Sequence, residues 1–105
     1  MNIHLAIRYD VCYDTFRVET YKNIFTILEA FKIEIYNYPN DKNVFEVDVE
    51  SVIKAFDNVD VEKITIDDKP LDENEQLFII NLLHTAKNAN YSKKFNFVRF
   101  EIEKE

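Results

Sequence analysis

The chain of 105 residues contains no glycine. Glycine takes positive φ without steric cost, so every turn here must be made by Asn, Asp, Pro or Lys, and positions that need φ > 0 must lean on the eleven asparagines. The same absence removes whole classes of site. A phosphate-cradling P-loop or a dinucleotide fingerprint needs glycine where the backbone approaches the ligand, so nucleotide binding in those modes is excluded.

Hydrophobic residues make up 47% of the chain and charged residues 31%, the balance of an ordinary globular domain. A domain of this size buries roughly 60% or more of the surface of its unfolded chain, enough for a core without covalent staples. Cys12 is the sole cysteine, so no intramolecular disulfide can form, and nothing has zinc-ligand spacing. Met1 to Arg8 alternates polar and apolar residues, unlike a signal peptide, and no run approaches the roughly 20 apolar residues of a membrane span. No linker, repeat or low-complexity tract divides the chain. The expectation is one domain, 1–105, in a reducing bacterial cytoplasm.

Charge narrows the partners. Twenty Asp and Glu against 13 Lys and Arg give a net charge of −7. Lys93-Lys94 is the only basic doublet, and the arginines are scattered at 8, 17 and 99, which argues against binding nucleic acid or an anionic membrane directly. A basic protein partner is compatible with the charge.

Periodicity sketches the fold. Ile3, Leu5, Ile7, Tyr9 and Val11 alternate with polar residues and predict a strand, followed by a second extended stretch over Cys12 to Val18. Thr20 is a candidate N-cap for a helix whose face is Tyr21, Ile24, Phe25, Leu28 and Phe31. Ile33 and Ile35 then predict a strand ending before Tyr38-Pro39; Phe45, Val47 and Val49 predict its hairpin partner. Ser51 to Phe56 fits a short helix, Val61 to Asp67 a strand, and Asp68-Lys69-Pro70 a turn. Asp72 and Glu75 have capping-box spacing ahead of the longest helix, which should end near Asn88-Ala89-Asn90 with Asn as a left-handed cap. Val98, Phe100 and Ile102 predict a closing strand. The order β, β, α, β, β, α, β, α, β predicts an α+β fold: a mostly antiparallel sheet covered by two main helices and one short helix, with a ferredoxin-like variant as the expected topology.

No catalytic constellation stands out. His4 and His84 are isolated, and Cys12 has no base in sequence reach, so structural roles are expected for all three. Asp67-Asp68-Lys69, with Asp48 on an earlier strand, matches part of a metal-dependent nuclease pattern but reads equally well as a turn. No cofactor is expected.

What remains is the distribution of acids and aromatics. Glu46, Asp48 and Glu50 are expected on one strand face, and Glu101, Glu103 and Glu105 on another, with neighbouring carboxylates about 6.7 Å apart, near the phosphate repeat of a nucleic acid. Asp57, Asp60 and Glu62 surround one connection, and Asp67, Asp68, Asp72, Glu73 and Glu75 the next. Solvated faces and helix capping account for many such residues without a partner. Tyr36 and Tyr38 share a strand face beside acids, and Phe95 and Phe97 are expected opposite Val98 and Phe100, a mixture that suits a protein interface. The expected partner-binding residues are therefore Glu46, Asp48, Glu50, Asp67, Asp68, Asp72, Glu73, Glu75, Tyr36 and Tyr38.

The bias toward Ile, Asn, Lys, Phe and Tyr points to AT-rich codons and a low-GC bacterium, phage or mobile element. In size, acidity and lack of enzyme motifs the chain resembles, as a type, the small phage-encoded inhibitors of bacterial defence, including anti-CRISPR and DNA-mimic proteins. The expectation is a non-enzymatic inhibitor that blocks a basic nucleic-acid-binding site on a host effector or nuclease. An immunity protein or antitoxin, a structural or homodimeric subunit, and a small metal-dependent hydrolase are the alternatives.

Overall fold

Apolar alternation in two neighbouring strands decides where the core sits. In the computed structural model, which describes the backbone of residues 2–8, 11–16 and 18–103 and the side chains of 24–41, 43–90 and 92–101, Phe45 and Val47 lie beside Phe100 and Val98 in register. Expectations attached to the side chains of His4, Cys12 and Glu103, and to Glu105, lie outside these residues.

The strands are β1 (Asn2–Arg8), β2 (Val11–Phe16), β3 (Ile35–Tyr38), β4 (Asp41–Asp48), β5 (Thr65–Ile66), β6 (Lys69–Pro70) and β7 (Phe97–Glu103). The helices are α1 (Val18–Ala30), α2 (Val49–Phe56), α3 (Glu73–Asn88) and α4 (Asn90–Phe95), with a 3-10 turn at Val61–Lys63. Five strands form one antiparallel sheet in the order β2-β1-β7-β4-β3. Two hairpins, β1-β2 and β3-β4, are joined by the last strand, which inserts between them and pairs Phe100 with Leu5 on one side and with Phe45 on the other.

The fold is thus α+β with an antiparallel sheet. The ferredoxin-like variant is not confirmed: the sheet order is β2-β1-β7-β4-β3. The count of helices also differs, since α4 follows α3 with a single residue between them.

One sheet face carries the core. Phe45 and Phe100 stack at 4.7 Å, Phe25 of α1 lies 5.0 Å from Phe45, and Phe78 of α3 lies 5.8 Å from Phe100. Ile24, Ile27 and Leu28 of α1, Val52 and Phe56 of α2, and Ile79 and Leu82 of α3 complete a single buried cluster. Each fully buried side chain of this size contributes about 1.5–3 kcal/mol. Among the described residues no helix is long and apolar enough to cross a membrane.

Without glycine, positive φ falls, among the described residues, on Lys32, Asn58, Asp67, Asp68 and Asn96. Lys32 closes α1: its N–H donates to Glu29 O at 3.1 Å and the Ile33 N–H to Leu28 O at 2.9 Å, the paired bonds of a Schellman cap. Leu28 and Ile33, both buried, supply the apolar contact that accompanies it. Asn96, at φ 64°, closes α4. The left-handed Asn expected at the end of α3 is therefore one short helix later, because Ala89 leaves α3 with extended backbone and still bonds Thr85 O.

Three further expectations are corrected. α1 begins at Val18, so Thr20 lies inside it. Val61 to Asp67 is not one strand: Asp60 accepts the Glu62 N–H at 3.1 Å and starts the 3-10 turn, leaving only Thr65–Ile66 to pair with Lys69–Pro70. Asp67 and Asp68 occupy the two left-handed positions of the tight turn between them. The strand expected through Val49 ends at Asp48, and Val49 begins α2.

Candidate functional site

The strand-to-helix switch at Asp48 dismantles the expected acidic ladder. Asp48 Oδ2 accepts the Ser51 N–H and the Ser51 Oγ–H, both at 2.9 Å, and so caps α2. Glu50 is exposed in the first turn of that helix, where its charge complements the dipole. Glu46, Asp48 and Glu50 therefore do not share a strand face.

The second acidic tract resolves into local roles. Asp72 Oδ1 accepts the Glu75 N–H at 2.8 Å and Glu75 Oε1 accepts the Asp72 N–H at 2.9 Å, the reciprocal bonds of a capping box, as its spacing predicts. Glu73 is exposed in the same first turn, and Asp67 and Asp68 are exposed in their tight turn. Asp57 pairs with Lys87 at 3.1 Å across α2 and α3. His84, exposed on α3, has its Nδ1 3.3 Å from the Asn88 side-chain amide.

The metal-dependent arrangement is not assembled. Asp48 and Asp67 line different cavities, and among the described residues no group of three or more His, Cys, Asp and Glu could hold a metal ion.

The sheet face opposite the core is chemically different. β3, β4 and β7 place Tyr36, Glu46 and Arg99 side by side in register, with Val44 and Glu101 paired one step along. Tyr36 is 60% exposed and meets Tyr38 edge-on at 5.6 Å. Phe97 enters this face from β7 and stacks with Phe95 at 5.9 Å, while Lys94 Nζ sits 5.3 Å from the Phe95 ring. Phe95 itself belongs to α4 rather than to the closing strand.

Glu46 is the unusual member of this face. It is only 7% exposed, and its Oε2 is buried with no hydrogen-bond partner. Arg99 lies directly across from it, yet Arg99 Nε is bound to Glu101 Oε1 at 3.3 Å. Burial of an acceptor without a donor costs free energy that a paired one would not.

Beside Glu46 is a cavity of about 250 Å³ whose walls include Glu34, Tyr36, Asp48, Asn96 and Phe97. Its rim is held by backbone bonds: the Asp48 N–H donates to Glu34 O at 3.2 Å and the Val49 N–H to Asn96 O at 3.1 Å. The end of β4 is thereby pinned between the start of β3 and the turn into β7, which brings three acidic and two aromatic residues to the walls of one hollow. Of the expected partner-binding residues, Tyr36, Glu46 and Asp48 converge here, while the acids of the β5-β6 turn and of α3 do not line it.

Alternation along β4 puts Glu46 among exposed acids, but alternation reports a face without saying how crowded that face is. Asn96 lies outside the expected site, and its position between two aromatic residues ahead of an alternating strand is the signal of a left-handed cap.

No family model matches the chain, and no curated protein or solved structure matches it.

Proposed function

We propose that this chain is a non-enzymatic binding protein that engages a basic protein through the sheet face opposite its core, acting as an inhibitor that occupies a nucleic-acid-binding site. The observation that carries this reading is the juxtaposition of exposed Tyr36 with Tyr38, Phe97 and the acids Glu34, Glu46 and Asp48 on the sheet face opposite the core. Aromatic anchors among acids are the composition of an interface for a cationic partner. Glu50, Glu73, Asp67 and Asp68 stay exposed and extend the negative field beyond that face, which speeds encounter with a basic surface.

The partner class that fits best is a bacterial nucleic-acid-binding effector or nuclease, in the manner of the small phage-borne inhibitors. The test begins with affinity capture from a nuclease-treated low-GC bacterial lysate and continues with the purified captured protein. Competition between this chain and nucleic acid for that protein, weakened by rising salt, supports the reading. Simultaneous binding of both overturns it.

Self-association is a second reading, favoured by one observation: Leu77 and Ile80 on α3 and Val59 beside them are 41–47% exposed. Sedimentation of the pure chain tests it: a concentration-dependent dimer supports self-association, and a monomer at every concentration overturns it.

A further inference from the structure

We infer that the cavity beside Glu46 is a socket for one arginine side chain of the partner. This inference rests on the binding-protein reading above and sharpens it to a single contact.

Three features converge. First, Glu46 is more than nine-tenths buried and lines the cavity, and its Oε2 is enclosed without a donor, so that a cation in the cavity satisfies it once the carboxylate turns toward the hollow. A carboxylate so placed gains more from an incoming cation than an exposed one, because its solvation has already been lost. Arg99 does not supply that cation through its Nε, which is held by Glu101.

Second, the wall chemistry matches a guanidinium better than an ammonium. Tyr36 and Phe97 offer ring surfaces, and Glu34 and Asp48 add two further carboxylates. A guanidinium is planar, stacks on aromatic faces and donates in several in-plane directions at once, whereas an ammonium is a compact and strongly hydrated point charge. Asp48 keeps Oδ2 for its cap, so its other oxygen is the one offered to a ligand.

Third, the volume selects a side chain. About 250 Å³ lies below the roughly 300–1,000 Å³ of pockets that enclose drug-sized molecules. The other cavities fit a cation less well. The one between α1 and the β5-β6 turn, about 360 Å³, sets Lys69 beside Asp67 and Glu75; the groove of about 440 Å³ along α3 is lined largely by Val59, Ile79, Ile80 and Leu83; and a hollow beside α2 has Lys32 and Lys54 in its wall.

The experiment titrates N-acetyl-arginine methylamide into the isotopically labelled chain and follows backbone amide shifts, with the citrulline and lysine analogues in parallel. Saturable shifts confined to residues 34–36, 46–48 and 96–97, at least tenfold weaker with lysine and absent with citrulline, are the expected result. Glu46→Gln keeps the shape of the side chain and should weaken the arginine response at least tenfold; Tyr36→Ala, at an exposed position, should weaken it several-fold. Shifts spread over the acidic surface, or an unchanged response in Glu46→Gln, overturn the socket. Because the probe is a single amino-acid derivative, this outcome is independent of the protein partner. A chain whose partner capture is lost on reversing Glu50 and Glu73 but kept in Glu46→Gln retains the binding function without the socket.

Discussion

Glu46 and Arg99 face each other across β4 and β7, yet Arg99 Nε turns along its own strand to Glu101 and the inner oxygen of Glu46 is left without a donor. Opposite charges in direct cross-strand register ordinarily support a sheet. Here the register supplies the pair and the side-chain geometry does not complete it, so this part of the sheet retains an unsatisfied group beside a hollow.

Replacing Glu46 should therefore stabilise the free protein. Glu46→Met, which keeps length and removes the charge, is expected to raise stability by about 1–3 kcal/mol, the usual cost of a buried polar group lacking a partner. Chemical denaturation reads this directly, and a loss of stability would show that the carboxylate is already satisfied in solution.

The two acidic caps carry stability of their own. Asp72→Ala removes one half of the capping box on α3 and should cost about 1 kcal/mol, whereas Asp72→Ser should cost much less. Glu73→Ala, one residue away and exposed, should change stability by less than about 0.5 kcal/mol. Equal effects at positions 72 and 73 would contradict the hydrogen-bond geometry.

Lys32 occupies a conformation that glycine takes without penalty. Left-handed backbone costs an ordinary L-residue about 1–2 kcal/mol, partly offset here because glycine has more entropy to lose on folding. Lys32→Gly should raise stability by roughly 0.5–1 kcal/mol in thermal unfolding, and Lys32→Val should lower it.

The stacked rings of Phe45 and Phe100 join the two hairpins through β7. Phe45→Ala and Phe100→Ala should each cost about 3–5 kcal/mol. A double-mutant cycle should leave a coupling of about 0.5–1.5 kcal/mol for the ring contact itself. Additive losses would mean that each ring acts only through the helix above it.

Much of this architecture is legible in the residues. The capping box at Asp72 and Glu75, Ile24 and Leu28 on the apolar face of α1, and the alternation Val98, Phe100 of β7 are local patterns, set within one or two turns of chain, whereas Ile27, equally buried, lies outside the expected face. The error at Val49 has a local origin too. Val47 and Val49 continue an alternation that reads as strand, but Asp48 satisfies the N–H of Ser51, and the hydrogen bond converts the last apolar residue into the first residue of α2.

The sequence by itself determined the composition of the surface, the demand that residues other than glycine bear every position of positive φ, and the presence of an antiparallel sheet with helices against one face. Tertiary structure alone decided that the last strand lies between the two hairpins, and with it that Glu46 is hidden between Tyr36 and Arg99 rather than exposed among other acids. The reason is physical: capping, turn and amphipathic preferences act between near neighbours in the chain, whereas the burial of a carboxylate depends on which strands flank it, and those strands come from positions 35–38 and 97–103.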